Sequence, residues 1–296
     1  MAVTAALVKE LREKTGAGMM DCKKALVEVD GDITKAIDWL REKGIAKAAK
    51  KSGRVAAEGL TRVACDGNKA VVVEMNSETD FVAKNEAFLK LIDEVAQTIL
   101  ASDVTTLEEA NALSLNGKTI ADCVVDATAT IGEKITLRRF ARMSKEDNDI
   151  FGPYIHMGGK ISVVCVLKNT QDAVLAKDIA MQVASMSPSY VSRDDMPAEV
   201  VAHETEVQQE ILKNDEKMAG KPEKILAGII EGRVSKALQD MCLVDQEYFK
   251  DTNKKVKAVL AEGNTSCAGF VRYAVGEGIE KKNDNFAEEV MSQING

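Results

Sequence analysis

Aromatic residues and long apolar runs are scarce or missing in this chain of 296 residues. Aromatic side chains make up only 4% of the residues, so Ala, Val, Leu, Ile and Met must fill the hydrophobic cores. No apolar run approaches the ~20 residues that a membrane-spanning helix needs, so we expect no membrane partner. The first residues lack the charged-then-apolar order of a signal peptide, which predicts a cytoplasmic protein.

Histidine and cysteine do not form a recognisable metal or catalytic pattern. Only His156 and His203 are present, and no H-E-x-x-H or matching cysteine spacing accompanies them. The six cysteines lie far apart without a C-x-x-C pair, which predicts buried apolar thiols in a reducing compartment, not zinc ligands or a disulfide scaffold. No G-x-S-x-G sequence is present, so a serine hydrolase is disfavoured as well.

Two glycine-rich stretches resemble phosphate loops but fail at their flanking residues. After Gly16-Ala17-Gly18, Asp21 stands where a dinucleotide loop has its third glycine, and no strand precedes the stretch. Near Gly158-Gly159-Lys160, Ile161 stands where Ser or Thr would bind magnesium, and Tyr154 replaces the first glycine. We therefore predict that the chain is not an enzyme, binds no GTP itself and needs no cofactor.

The balance of charge favours a protein partner over a nucleic acid. Asp plus Glu number 47 against 39 Lys plus Arg, and the formal net charge is -8. A protein of this charge is poorly suited to broad electrostatic binding of nucleic acid or of an anionic membrane. The length exceeds what one small core usually serves, so we expect two or more modules.

Residues 1–54 are predicted to form a three-helix docking bundle, similar to a ubiquitin-associated domain, followed by a basic linker. Gly16-Ala17-Gly18 separates the first two amphipathic segments, and Asp32 is placed to cap the third. Gly44 is a suitable C-terminal stop for that helix. The stretch 47–54 is rich in Ala, Lys, Ser and Gly, which is typical of a linker.

The central residues predict an α+β fold whose core has two parts with small antiparallel sheets. Residues 55–146 contain a hairpin signal at Asp66-Gly67-Asn68, two helical patterns and a returning strand. Residues 147–186 and 241–275 form the second part, with a strand pair that turns at Gly158-Gly159. Because the second part resumes only after residue 240, the residues between are predicted to be an insertion.

Residues 187–240 are predicted to be that insertion, an antiparallel helical hairpin whose helices begin near Pro197 and Pro222. The two helices are heavily charged and offer only a narrow apolar seam. The predicted seam consists of Val200, Val207, Ile211, Ile225 and Ile229. Such an arm projects into solvent, dimerises or meets a partner. Residues 276–296 are predicted to be a C-terminal module with a short amphipathic helix that contains Phe286.

Three segments carry a resemblance to a known family. Thr79-Asp80-Phe81-Val82-Ala83-Lys84-Asn85 lies between a predicted strand and a predicted helix, where a turn can push a side chain outward. On its own it also fits a turn in which Asp80 caps the helix and Phe81 fills the core. With LREKTGAGMMDCKKAL at 11–26 and VGEGIEK at 275–281, it resembles the signatures of the elongation factor Ts family. Gly220-Lys221-Pro222 and His156 match that family too.

The resemblance implies a guanine nucleotide exchange factor for elongation factor Tu. All seven residues from Thr79 to Asn85 would then bind the partner, with Asp80 and Phe81 disturbing its magnesium and phosphate site. Further contacts are expected from Met19, Met20, His156, Gly158 and Phe286. Structural alternatives stay open, namely core packing for the two methionines and for the helix with Phe286, and a surface or hairpin histidine with satisfied hydrogen bonds for His156. A scaffold protein that uses the bundle and a dimerising arm is the alternative function.

Overall fold

The structure is a computed structural model that describes residues 3–215 and 222–280. Gly220, Lys221 and the predicted C-terminal helix with Phe286 lie outside the described residues. Every helix among the described residues is too short or too polar to cross a bilayer.

The N-terminal unit contains the helices α1 (Ala5–Thr15), α2 (Met19–Glu28) and α3 (Ile33–Lys51). Local signals set their ends, because Gly16 adopts a left-handed conformation with φ 66° after α1 and the Asp32 carboxylate accepts the Lys35 N–H at the start of α3. The three helices enclose a small core of their own. Its buried members are Val8, Leu11, Cys22, Ala25, Leu26 and Ala36.

The predicted stop at Gly44 is wrong, because α3 continues through Gly44 to Lys51 and includes most of the predicted linker at 47–54. A glycine inside a helix costs roughly 1 kcal/mol relative to alanine, but here it permits a close helix contact. A Cβ atom at Gly44 would lie 3.1 Å from the Cβ atom of Ala129 in a helix of the first core part. The N-terminal unit is thus joined to the rest of the protein by a packed helix.

The first core part is a three-stranded antiparallel sheet covered by helices. In chain order its elements are β1 (Glu58–Asp66), β2 (Lys69–Ser77), α4 (Glu86–Leu100), α5 (Leu107–Ala112), β3 (Ser114–Leu115), β4 (Lys118–Thr119), α6 (Ile120–Ile131) and β5 (Thr136–Ser144). The sheet order is β1-β2-β5, and the hairpin turns at Gly67 and Asn68 as predicted. Phe88 and Ile92 of α4 pack against Val73 of the sheet in the main core. The tiny β3–β4 hairpin and α5 were not predicted.

The second core part is another three-stranded antiparallel sheet, interrupted in sequence by the arm. Its elements, with the arm helices α8 and α9 between them, are β6 (Ile150–His156), β7 (Ile161–Leu167), α7 (Ala173–Met186), α8 (Ala198–Lys213), α9 (Glu223–Met241), β8 (Glu247–Tyr248), β9 (Asp251–Lys255), α10 (Val256–Glu262) and β10 (Cys267–Ala274). The sheet order is β10-β7-β6. The strand after the arm therefore pairs with a strand before it.

The apolar seam of the arm agrees only in part with the predicted one. Ile211 and Ile225 are exposed, whereas Leu212 is buried. The buried side of α8 includes Glu204 and Gln208, whose side chains are hydrogen-bonded to each other at 2.8 Å. Val200, Val207 and Ile229 of the predicted seam are half-buried, so the apolar pattern found the packed side in part and missed its polar members.

A buried carboxylate connects the two sheets. Glu74 of β2 is fully buried and accepts the Gly276 N–H at 2.8 Å and the Arg138 Nη1 at 2.9 Å. Burial alone would raise the pKa of Glu74, but these hydrogen bonds, with those from Arg139 and Asn76, hold it below its ordinary value. The third signature segment thus contributes a backbone donor that fixes the chain after β10 to the first sheet.

The cysteines are less uniformly buried than predicted. Cys65 is exposed and Cys123 is half-buried, whereas the others are buried. Cys65 lies beside the hairpin turn of the first sheet, where β1 leaves the core. All six thiols are free of disulfides.

Candidate functional site

The signature segment forms a tight turn between β2 and α4. A single 3₁₀ turn spans Val82–Lys84, and the Asn85 N–H donates to the Val82 carbonyl at 2.9 Å. The Asn85 Oδ1 then accepts the Ala87 N–H at 2.9 Å and caps α4. The helix cap is therefore Asn85, and the alternative in which Asp80 caps the helix is wrong.

Two adjacent side chains of the turn point in different directions. Val82 is 4% exposed and belongs to the main core, whereas Phe81 is 76% exposed and Asp80 is also exposed. The alternative in which Phe81 fills the core is therefore wrong for this chain on its own. Hydration of an exposed phenyl ring is unfavourable, which makes Phe81 a candidate contact residue for a partner.

The start of the turn is hydrogen-bonded to the connection between α6 and β5. The Thr79 N–H and Oγ1 donate to the two carboxylate oxygens of Glu133 at 2.8 and 2.6 Å. In the opposite sense, the Lys134 N–H donates to a carboxylate oxygen of Glu78 at 2.6 Å. These are charge-assisted hydrogen bonds, which are about twice as strong as neutral ones.

A second exposed apolar site lies at the hairpin turn between β6 and β7. His156 is half-buried, and its Nδ1 is 2.9 Å from the Tyr154 hydroxyl oxygen. Met157 is 72% exposed and Ile155 is 38% exposed, so apolar side chains flank the histidine on both sides. Gly158 has a φ of 66° with open space around it, which fits a turn tip.

Both turns lie at the same end of β1. Ser77, the last residue of β2 before the signature turn, pairs with Glu58 at the start of β1. The Glu58 carboxylate in turn contacts the Lys160 Nζ at 2.8 Å, and the Thr61 hydroxyl donates to the Gly159 carbonyl at 2.8 Å. Phe81 and Met157 are thus presented from one end of the packed sheets.

The two methionines at the start of α2 are exposed. Met19 is 58% and Met20 is 74% exposed, so the alternative in which they pack in the core is wrong for the free chain. The glycine turn before them lies near α6, because a Cβ atom at Gly16 would be 3.6 Å from the Thr130 Cγ2. Thr130 belongs to the last turn of α6, directly before the residues that hold Thr79.

The sequence alone did not identify four candidate site residues: Met157, Ile155, Glu133 and Glu78. For Met157 a signal existed, because an apolar residue beside two glycines in a turn is unusual. The partnership of Glu133 with Thr79 joins residues 54 positions apart and has no local signal. Among the described residues, no group of His, Cys, Asp and Glu side chains is arranged to hold a metal ion.

Exposed apolar side chains on ordered turns and at a helix start are typical of a factor that binds another protein. Comparison with known families gives two matches. The family model described as Elongation factor TS matches residues 78–277, and the model described as Elongation factor Ts, mitochondrial, N-terminal matches residues 1–51. Because the first match covers more than half of the chain, the chain belongs to the elongation factor Ts family. Members of this family bind elongation factor Tu and exchange its guanine nucleotide during translation elongation.

Proposed function

We propose that this chain promotes GDP release from elongation factor Tu by inserting Phe81, with Asp80 beside it, close to the magnesium and phosphate site of the GTPase. The observation that carries the proposal is the 76% exposure of Phe81 on a turn that is fixed at both ends. The turn is anchored by Thr79 on one side and by the Asn85 cap on the other. A ring that is already held outward loses little freedom on insertion.

Insertion near the magnesium ion is an effective way to weaken GDP. Nucleotide affinity in such GTPases depends on a magnesium ion that contacts the phosphate oxygens and on a cradle of backbone donors. A side chain that displaces either group lowers the affinity without making or breaking a covalent bond. The chain therefore works through binding energy alone and needs no cofactor of its own.

Two further contacts would hold the partner while GDP leaves. Met19 and Met20 are flexible, polarizable and exposed, as adaptable contact residues commonly are. His156, Met157 and Gly158 form a second contact at the end of the sheets from which Phe81 projects. Phe286 remains a proposed contact outside the described residues. Several separate contacts would allow the chain to bind the partner on both sides of its nucleotide site.

Binding of the factor and of GDP must oppose each other equally. If the chain lowers the affinity of elongation factor Tu for GDP by some factor, GDP lowers the affinity for the chain by the same factor. The nucleotide-free complex is then a transient intermediate, which dissociates when free nucleotide binds. This reciprocity makes turnover possible with small amounts of the chain.

Release of a fluorescent GDP analogue from elongation factor Tu tests the proposal. Catalytic amounts of this chain should accelerate release in the presence of excess unlabelled GDP. An unchanged rate of GDP release would contradict the proposed function. A normal acceleration by both Asp80→Ala and Phe81→Ala would leave exchange intact but rule out insertion of this pair as its mechanism.

A scaffold role through the arm is the second candidate. Val201, Ile211 and Ile225 are exposed on the two arm helices, and a second copy of the chain could cover them. Sedimentation of the purified chain over a range of concentrations measures this directly. A monomer at all concentrations would contradict the proposed homodimer.

The proposed partners include neither nucleic acid nor membrane. We keep a cytoplasmic location as one proposal, and the description of the N-terminal family model adds the mitochondrial matrix as the other. Both compartments contain translating ribosomes. Fractionation of the source cells, with detection of the chain in each fraction, distinguishes them.

A further inference from the structure

An exposed phenyl ring can act as a wedge only if its backbone does not yield when the ring is pushed against a partner. Phe81 itself has an ordinary helical backbone with φ −62° and ψ −37°, so no local strain fixes its direction. The buried neighbour Val82 holds one side of the turn in the core. Resistance on the other side must come from the residues that hold Thr79.

Four residues form what we call the crossed clamp: Glu78 and Thr79 on one segment, and Glu133 and Lys134 on the other. The Thr79 N–H and hydroxyl donate to Glu133, and the Lys134 N–H donates to Glu78. Each segment thus supplies a carboxylate to a backbone donor of the other. A reciprocal arrangement of this kind fixes both the position and the direction of the chain, as a capping box does at a helix start.

The crossed clamp also contacts the end of α3. The Lys134 Nζ donates to the Ser52 and Arg54 carbonyls at 2.7 and 2.9 Å, and the Arg54 guanidinium contacts the Glu78 carboxylate at 3.1 Å. The Lys51 Nζ contacts the Gly132 carbonyl as well. The turn that carries Phe81 is therefore braced against the N-terminal unit that carries the exposed methionines.

We propose that Glu133 is a positioning residue for nucleotide exchange, which acts on GDP release through Phe81 without contacting elongation factor Tu. This inference rests on the proposed function. Loss of one acceptor oxygen and of the negative charge at Glu133 weakens the hold on Thr79, so the ring still reaches the partner but displaces its magnesium ligands less effectively. Errors of about 1 Å in the placement of an acting group commonly cost large factors in rate.

The test compares Glu133→Gln with the unaltered full chain in release of the fluorescent GDP analogue, over a series of chain concentrations. The saturating release rate should fall about tenfold, equivalent to about 1.4 kcal/mol, while the half-maximal concentration stays within about twofold. Thr79→Val, which removes one of the two donors to Glu133, should lower the saturating rate by a smaller factor. A loss confined to the half-maximal concentration would make Glu133 a binding group and overturn the inference.

A double variant identifies the route of the effect. If Glu133 acts through Phe81, the Glu133→Gln change should slow release no further in a Phe81→Ala background. An equal slowing in both backgrounds would overturn the inference. Hydrogen exchange at the Thr79 amide, which should become faster in Glu133→Gln, reports the freed turn independently of activity.

Glu109→Gln is the matched control. The Glu109 carboxylate also accepts two backbone N–H groups, from Thr105 and Thr106, but it does so at the start of α5 without contact to the clamp. Its loss should leave the saturating rate unchanged, and an equal loss in this control would overturn the assignment of the effect to the clamp. A wild-type chain without effect on GDP release defeats the proposed function itself, whereas a fully active Glu133→Gln defeats only this inference.

Discussion

Replacement of Phe81 by alanine should separate exchange activity from stability. The ring is 76% exposed in the free chain, so its removal should change the free energy of unfolding by less than about 0.5 kcal/mol. Complete burial of a Phe side chain contributes ~1.5–3 kcal/mol, and about three quarters of that remains to be gained at the partner. The saturating rate of GDP release should then fall by about seven- to forty-five-fold.

Stopped-flow release of a fluorescent GDP analogue and urea unfolding provide the two measurements. Val82→Ala supplies the contrast in stability, because Val82 is 4% exposed and its truncation should cost about 1–3 kcal/mol. Val174→Ala is the matched control for an exposed apolar residue, since Val174 is 70% exposed on α7, and it should change neither measurement. An unfolding cost for Phe81→Ala as large as that for Val82→Ala would refute the reasoning, as would an unchanged release rate.

Gly152→Ala should destabilise the second sheet by about 3 kcal/mol in urea unfolding, because the added Cβ atom would lie 2.2 Å from the Ala176 carbonyl oxygen; a stable variant would contradict this packing. Hydrogen bonds hold the pKa of Glu74 below 4.5 despite burial, so its contribution to stability is present above that value and lost as pH falls through the lower folded pKa. Urea unfolding from pH 6 to pH 3 should show this loss, and Glu74→Gln should flatten the slope. Met20→Ala should weaken binding to elongation factor Tu about fivefold in titration calorimetry with an unaltered melting temperature, and a lowered melting temperature would point to a packing role.

Local signals predicted most helices and strands correctly. Asp32 caps α3, and Gly67 with Asn68 turns the first hairpin. Each of these features depends on one or two residues and on backbone preferences that neighbouring residues cannot change. The α+β class followed from the order of these elements.

Features that depend on distant contacts escaped prediction. Glycine is typical of a helix end, yet Gly44 lies inside α3, where it allows close packing against Ala129. The exposure of Phe81 could not be distinguished from burial, because Val82 beside it is equally apolar and is the residue that enters the core. Glu133 joined the site only in three dimensions, through hydrogen bonds to a segment far away in sequence.

The pairing of β7 with β10 has a consequence for the order in which the protein folds. Cys267 pairs with Leu167, so the entire arm must be synthesised before the second sheet is complete. The first sheet is complete once β5 pairs with β2, so it can form while the arm is still being made. Because joining distant strands costs loop entropy before any contact repays it, closure of β10 onto β7 should be the slow step. During that interval an unpaired edge of β7 is open to pairing with other strands, which makes the late half of synthesis the period of greatest aggregation risk.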